Sequence, residues 1–208
     1  EFEVSITDIV GGREYYVEIL VKDEYGNTAT STLEIPYVRE FENLGKLLYE
    51  KGIIVGAVTS AYPTDWEFEE PMIVHPLLGE YDFRDPIVIA KHIDWATGHG
   101  INCFFYIWGF DEERAHQQNH RNLLQILSHP MSKQIHISIL FEISRLTVAG
   151  ILPDEEGLYH LDDRSKWQKI VKDFQVLNND LFRRENYLKL KGKPVVYFYN
   201  SDALVGKV

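Results

Sequence analysis

The chain has 208 residues, of which 45% are hydrophobic and 13% aromatic, a composition typical of a folded globular protein. Its formal net charge is −11, with 21 basic against 32 acidic residues, and this charge repels phosphate backbones and anionic lipids, which disfavours nucleic acid and membrane surfaces as partners. Membrane insertion is excluded too, because no apolar run approaches the roughly 20 residues that a spanning helix needs.

The first segment, residues 1–37, is predicted to be β structure. A strand over Phe2–Ile6 precedes a hairpin formed by Tyr15–Lys22 and Thr28–Ile35, in which Gly26-Asn27 are predicted to supply the positive φ values of the turn. Three strands are too few for a stable sandwich, so further strands are expected upstream. The segment resembles the closing strands of an immunoglobulin-like or fibronectin type III domain, and we expect a partial all-β sandwich here.

A connecting helix is predicted within residues 38–51. Pro36 is expected to end the hairpin, and apolar residues at helical spacing follow over Phe41–Tyr49.

Residues 52–208 show short apolar runs that alternate with helices, a pattern typical of parallel strands covered by helices. Asp85 and Pro86 predict a helix start, and His129-Pro130 predict a helix stop. The predicted strands are Ile53–Val58, Ile101–Ile107, Ile135–Phe141 and Val195–Tyr199, with helices after Asp85, over Glu112–Leu127 and over Ser165–Phe182.

This local pattern is shared by doubly wound sheets and by (β/α)8 barrels, so periodicity alone leaves both open. No Gly-rich phosphate loop follows any predicted strand, which disfavours a nucleotide-binding sheet. A complete barrel takes roughly 250 residues, and residues 52–208 are too few to form one. We therefore expect an α/β fold that is the first half of a (β/α)8 TIM-type barrel.

Side chains at the carboxyl ends of the predicted strands carry the chemistry of such a fold. They combine aromatic rings with one carboxylate, and this combination suits a sugar, whose C–H faces stack on rings and whose hydroxyls need polar partners. The candidate substrate-binding residues are Tyr62, Trp66, His75, Trp108, Glu142 and Tyr199.

Several short motifs follow one another along the second part of the chain. They are Tyr62-Pro63-Thr64-Asp65-Trp66, His75-Pro76 with Gly79-Glu80-Tyr81-Asp82, Asp85-Pro86, Gly100-Ile101-Asn102, Ile107-Trp108-Gly109, Glu142 after an apolar strand, and Gly192-Lys193-Pro194 before the fourth strand. Their order over Gly52–Ser201 resembles glycoside hydrolase family 99 and its bacterial surface-polysaccharide relatives. The resemblance implies an endo-α-mannosidase-like barrel that acts on mannose-containing or related glycans without a cofactor.

The chain departs from the family in two places. Ile107-Trp108 stands where the family has a tryptophan pair, and Ile143 and Ser144 replace the proline and aromatic that often follow the glutamate. The family's catalytic carboxylate pair lies on a later strand and has no counterpart here, so it is expected beyond residue 208. Glu142 alone cannot supply the two carboxyl groups that glycoside hydrolysis needs.

No metal site is predicted. His116 and His120 share a helix face but lack the glutamate of H-E-x-x-H, and the single Cys103 lies in an apolar run and is interpreted as a buried core residue.

The sequence thus predicts a fragment of a carbohydrate-active enzyme, extracellular or at the cell surface, with an oligosaccharide or polysaccharide substrate. The alternative is a non-catalytic glycan-binding or cell-surface structural protein with a degenerate barrel. Half a barrel would leave the strands Ile53–Val58 and Val195–Tyr199 with unpaired edges, so association of the isolated chain is expected.

Overall fold

The computed structural model describes residues 9–59, 77–79, 81–108, 113–147, 150–161 and 164–206. In chain order its elements are β1 (Arg13–Lys22), β2 (Thr28–Val38), α1 (Leu44–Glu50), β3 (Gly56–Thr59), α2 (Pro86–Gly98), β4 (Cys103–Trp108), α3 (Glu113–Ser128), β5 (His136–Glu142), β6 (Tyr159–His160), α4 (Arg164–Asp180), β7 (Lys189–Leu190), β8 (Lys193–Pro194), β9 (Val196–Tyr199) and β10 (Leu204–Val205). Short 3₁₀ helices cover Pro130–Gln134, Ile143–Thr147 and Ser201–Ala203.

The predicted hairpin is confirmed as an antiparallel pair of β1 and β2. Its turn depends on Asp23, whose carboxylate accepts hydrogen bonds from the backbone N–H groups of Tyr25 and Asn27 and from the Asn27 amide. Gly26 has a φ of 89°, whereas Asn27 does not have the predicted positive φ. The strand also continues past Pro36 to Val38, because Arg13 pairs with Val38 after a register shift. The predicted strand Phe2–Ile6 lies outside the described residues, and the sandwich stays a prediction.

The segment after the hairpin is fastened to α2 by a buried carboxylate. Asp94 is fully buried and accepts hydrogen bonds from the Tyr37 hydroxyl at 3.1 Å and the Glu40 backbone N–H at 2.5 Å. Arg39 forms an ion pair with it at 3.1 Å. The connecting helix begins three residues later than Phe41, because the Asn43 side chain caps its first turn by accepting from the Lys46 N–H.

The main sheet has four parallel strands in the order β3-β4-β5-β9. All four predicted strands are therefore confirmed, although β3 begins at Gly56 rather than Ile53. Asn102, which is 2% exposed, accounts for this difference: its amide donates to the Ile53 carbonyl and accepts from the Val55 N–H, so that the chain before β3 bonds to a side chain.

The three predicted helices between these strands are confirmed, with α2 starting at Pro86 behind the capping Asp85. Each packs its apolar residues into one core on a single face of the sheet, which we call the helix face. Core residues from the helices and the sheet include Ile89, Ile93, Leu123, Leu127, Ile170, Leu177, Tyr106, Trp108, Ile137, Ile139 and Phe141.

Strand order and helix placement favour one of the two folds that the sequence pattern left open. A doubly wound sheet reverses its strand order and carries helices on both faces. Here the four described strands follow one another in sequence order, and the three helices between them lie on one face, a singly wound arrangement. This arrangement is typical of (β/α)-barrels, and the half-barrel stays a prediction.

Candidate functional site

The face of the sheet opposite the described helices, which we call the open face, carries the candidate site. Successive side chains of a strand point to opposite faces, so alternate residues of each strand share this side. They line a groove of about 470 Å³ and are Gly56, Val58, Phe105, Ile107, Leu140, Glu142, Tyr197 and Tyr199. Its floor is apolar, and Glu142 and the tyrosine hydroxyls are its polar groups.

Glu142 and Tyr199 are direct neighbours at the carboxyl end of the sheet. They are paired in the register of β5 and β9 and are the last residues of these strands. The sequence predicted both as substrate-binding residues, and the structure brings them together. A carboxylate that accepts sugar hydroxyls beside an exposed aromatic ring is an arrangement suited to a pyranose.

The Glu142 carboxylate is held by its own strand end. The Ser144 hydroxyl donates a hydrogen bond to Glu142 Oε1 at 2.8 Å. Ser144 lies in the 3₁₀ helix Ile143–Thr147, whose Ile143 and Leu146 are 1% and 0% exposed. The carboxylate is therefore attached to a well-packed turn.

Beyond Tyr199 the chain turns sharply. Asn200 adopts the left-handed conformation with φ 58° and ψ 40°, which Asn tolerates better than most residues. The 3₁₀ helix Ser201–Ala203 follows, and β10 then pairs in parallel with β6. This turn places the amide of Asn200 at the same edge of the sheet as Glu142.

Trp108, another predicted contact, lies on the helix face rather than the open face. It is 3% exposed, and its ring packs near Phe141. Its indole N–H donates to His120 Nδ1 at 3.3 Å, and His120 Nε2 contacts Asp180 Oδ2 at 2.8 Å. Trp108 is thus held in the core, and a substrate contact by it stays a prediction.

The remaining predicted residues, Tyr62, Trp66 and His75, lie outside the described residues. The described part of the site adds two rings that the sequence reasoning missed, Phe105 and Tyr197, whose centroids are 6.0 Å apart on the open face. Alternation along β4 and β9 groups Phe105 with Ile107 and Tyr197 with Tyr199, but only the pairing register shows that these residues share the open face.

The loop that follows the 3₁₀ helix Ile143–Thr147 is organised by the carboxylate of Asp154. The Asp154 carboxylate accepts from the backbone N–H groups of Glu156 and Leu158 and contacts His160 Nε2 at 2.6 Å. The hydrogen bond with His160 lowers the pKa of Asp154. Both side chains are exposed.

A larger cavity, of about 830 Å³, lies on the helix face, where Phe198, Phe174 and Trp167 line it. Its walls are mostly apolar and carry no carboxylate among the described residues, so we place the candidate sugar site on the open face despite its smaller volume.

Within the described residues no group of three or more His, Cys, Asp or Glu side chains could hold a metal ion. Likewise, no helix of the described part is long and apolar enough to cross a membrane.

Comparison with known protein families finds no match, and comparison with curated proteins finds none either. Solved structures with a similar fold include one titled "Glycoside hydrolase-like protein", which is 22% identical with a TM-score of 0.54 and covers 71% of this chain and 42% of that chain. Two others are structures of the GH99 endo-alpha-mannosidase from Bacteroides thetaiotaomicron. One is 15% identical with a TM-score of 0.47 and covers 72% of this chain and 42% of that chain. The other is 19% identical with a TM-score of 0.43 and covers 62% and 32%.

The first of these likenesses shows that most of this chain shares the fold of a glycoside hydrolase-like protein. The chain spans less than half the length of each of the three similar structures.

Proposed function

We propose that this chain is part of a carbohydrate-active enzyme that hydrolyses mannose-containing or related glycans, and that the carboxyl edge of its open face lines the substrate cleft. The observation that carries the proposal is the pairing of Glu142 with Tyr199 at the carboxyl end of a singly wound parallel sheet. This is the position at which (β/α)-barrel enzymes bind their substrates. The substrate class comes from the resemblance of the motifs over Gly52–Ser201 to glycoside hydrolase family 99.

The sheet is proposed to be the first half of a (β/α)8 barrel. In a closed barrel the inner side chains pack against those of the facing strands. Here Val58 and Tyr197 on the open face are 58% and 51% exposed. Further strands of a barrel would bury these side chains and leave the carboxyl edge as the floor of a cleft.

Within this cleft Glu142 is proposed to orient the sugar. A glycosidase of this kind needs two carboxyl groups that flank the scissile bond. The family resemblance assigns that pair to a later strand, so Glu142 accepts hydrogen bonds from substrate hydroxyls while Tyr199, the last residue of its strand, offers ring surface. We place the protein outside the cell or at its surface, where polysaccharide substrates occur.

A second candidate is a glycan-binding protein without turnover. Ile107 favours it: this residue lies on the open face at a position where the family resemblance expects a tryptophan. An aliphatic side chain fills space there but offers no flat ring to a sugar.

The test uses the full-length protein and a panel of α-mannoside oligosaccharides and polysaccharides, with product analysis and calorimetric titration. If the protein is an enzyme, we expect released sugars; if it only binds glycans, we expect heat of binding without products.

Glu142→Gln should weaken binding by roughly tenfold, because a hydrogen bond to a charged acceptor becomes a hydrogen bond to a neutral one. Glu185→Gln is the matched control, since Glu185 is exposed beside Asn186, which bonds to Ser132 and Ile135 at the opposite edge. A folded protein that neither binds nor cleaves any member of the panel would contradict both proposals.

A further inference from the structure

We infer that Ser144 is a positioning residue that holds the Glu142 carboxylate in the orientation in which it accepts a sugar hydroxyl. The inference rests on the proposed function and goes beyond it, because it assigns a role to a residue at which this chain departs from the resembled family. Its basis is the 2.8 Å hydrogen bond from Ser144 Oγ to Glu142 Oε1.

The hydrogen bond matters because of the length of the glutamate side chain. Glutamate loses considerable rotamer freedom when a ligand immobilises it, and this loss weakens binding. Ser144 has only one side-chain torsion to order, and its hydroxyl has a single proton, which it donates to Glu142. Because the carboxylate is already held in this way in the free protein, less conformational entropy is lost when the sugar binds.

Ser144 itself is held from behind by Tyr159, which is 6% exposed. The Tyr159 hydroxyl donates to the Ser144 carbonyl oxygen at 3.2 Å. The same hydroxyl lies 2.8 Å from Thr147 Oγ1, which completes its hydrogen bonding by donating to it. The carbonyl of Ser144 is thus bonded to the buried Tyr159, while its hydroxyl is bonded to Glu142.

The same tyrosine connects the two strand ends of the site. Tyr159 pairs with Leu204 in the register of β6 and β10, and the Leu161 N–H donates to the Val205 carbonyl at 3.0 Å. Leu204 and Val205 follow Tyr199 closely along the chain. One hydrogen-bonded network therefore fixes the segment that carries Glu142 relative to the segment that carries Tyr199.

The test is a double-mutant cycle on glycan affinity in the full-length protein, with Ser144→Ala, Glu142→Gln and the double variant. Ser144→Ala is expected to weaken binding by about three- to tenfold in the presence of Glu142, the range for the net contribution of one ordinary hydrogen bond, because solvent weakens a bond at this exposed serine. In the Glu142→Gln background the same change should have much less effect, because Ser144 acts through the carboxylate. Ser144→Thr retains the hydroxyl and should restore most of the affinity.

Ser128→Ala is the matched control, since the exposed Ser128 at the end of α3 donates only to the Gln125 carbonyl, at 2.6 Å. Thermal melts of each variant report whether the fold is retained. An equal loss in both backgrounds, or a Thr variant as weak as the Ala variant, would overturn the inference. So would an unchanged affinity in Ser144→Ala beside a strong effect of Glu142→Gln, and this result would leave the proposed function standing. If Glu142→Gln leaves the glycan affinity unchanged, Glu142 does not have the proposed role, and the inference about Ser144 is overturned as well.

Discussion

At the scale of single residues, the buried Asp94 carboxylate joins the hairpin segment to α2. Its partners come from three consecutive residues before α1, namely Arg39, Glu40 and Phe41, and from Tyr37. Burial and the neighbouring Asp94 raise the pKa of Tyr37 above its usual range, so this phenol stays a donor at any physiological pH. A charge buried this deeply stabilises only while its partners are in place.

Asp94→Asn is therefore predicted to lower the free energy of unfolding by about 2–4 kcal/mol, because it leaves the Arg39 guanidinium partly buried without its counterion. Denaturant titration measures the loss. Glu185→Gln removes a charge at an exposed position and should change stability by less than about 0.5 kcal/mol. A similar small change for Asp94→Asn would show that the junction does not depend on this ion pair.

His136 should make stability depend on pH. Its ring stacks on Tyr49 at 3.8 Å between centroids, in a cavity that Lys46, Lys133 and Glu50 also line. Burial lowers the pKa of His136 from its ordinary value of 6.5, and the Asn186 backbone opposes this only in part. The unfolded chain therefore binds a proton first as pH falls, so the stabilisation present above about pH 6.5 is lost as pH falls from there toward the lowered pKa.

We expect the melting temperature to fall between pH 7.5 and 5.5, and to fall less in His136→Gln. The half-buried ring limits the difference to roughly 1 kcal/mol or less. Identical pH dependence in the two proteins would show that His136 is not the group responsible.

The sequence correctly placed Glu142 and Tyr199 at the carboxyl ends of their strands, and their role as substrate contacts stays a prediction. It could not place Trp108, because a strand shifted by one residue exchanges its two faces and only the pairing register fixes which face a side chain takes. Nor could it find the link from Ser144 to Tyr159, since the Tyr159 hydroxyl meets the Ser144 carbonyl 15 positions away through a loop fold that leaves no periodic pattern in the sequence.

At the scale of elements, α1 closes the amino end of the sheet through a contact that only glycine permits. A Cβ atom on Gly45 would lie 2.5 Å from the Ile101 carbonyl oxygen and 3.3 Å from Asn102 Cβ. The Asn102 amide also donates to the Gly45 carbonyl at 3.2 Å. Helix and sheet thus approach each other backbone to backbone.

Gly45→Ala is predicted to destabilise the protein by about 1–3 kcal/mol, although the same change in an open helix would stabilise it by up to about 1 kcal/mol. The reason is that a carbonyl oxygen of the backbone cannot move aside as a flexible side chain can. Lys46→Ala is the control within the same helix, since its side chain is 70% exposed. Thermal unfolding compares the two, and a Gly45→Ala protein as stable as the parent would contradict the close approach.

Most element boundaries followed from local signals. Asp85-Pro86 marked the start of α2 correctly, because capping depends on neighbouring residues alone. The start of β3 was wrong by three residues, because the Ile53–Val55 segment bonds to Asn102, a residue almost fifty positions later. Contacts over such distances leave no periodic pattern in the sequence.

At the scale of the whole molecule, the four-stranded sheet ends in β3 and β9, whose residues carry no charge. Unprotected edges and an exposed apolar face favour pairing with further strands. Strand order and one-sided helices, which the sequence pattern left undecided, required the structure because they depend on which strands pair.

The isolated 208-residue chain is accordingly predicted to associate in solution. Light scattering should show a mass that rises with concentration, and Tyr197→Lys on the open face should reduce the association by adding a charge to the β9 edge. A monodisperse monomer that melts cooperatively would contradict the half-barrel proposal.

The central proposal is that the open face binds a sugar at its carboxyl edge. A crystal structure of the full-length protein with a mannose-containing oligosaccharide tests it most directly. We predict a sugar hydroxyl within about 3 Å of the Glu142 carboxylate, with Ser144 still bonded to Oε1 and a ring face against Tyr199. A sugar bound instead in the apolar cavity beside Trp167 and Phe198, with the carboxyl edge of the open face covered by protein, would contradict the account.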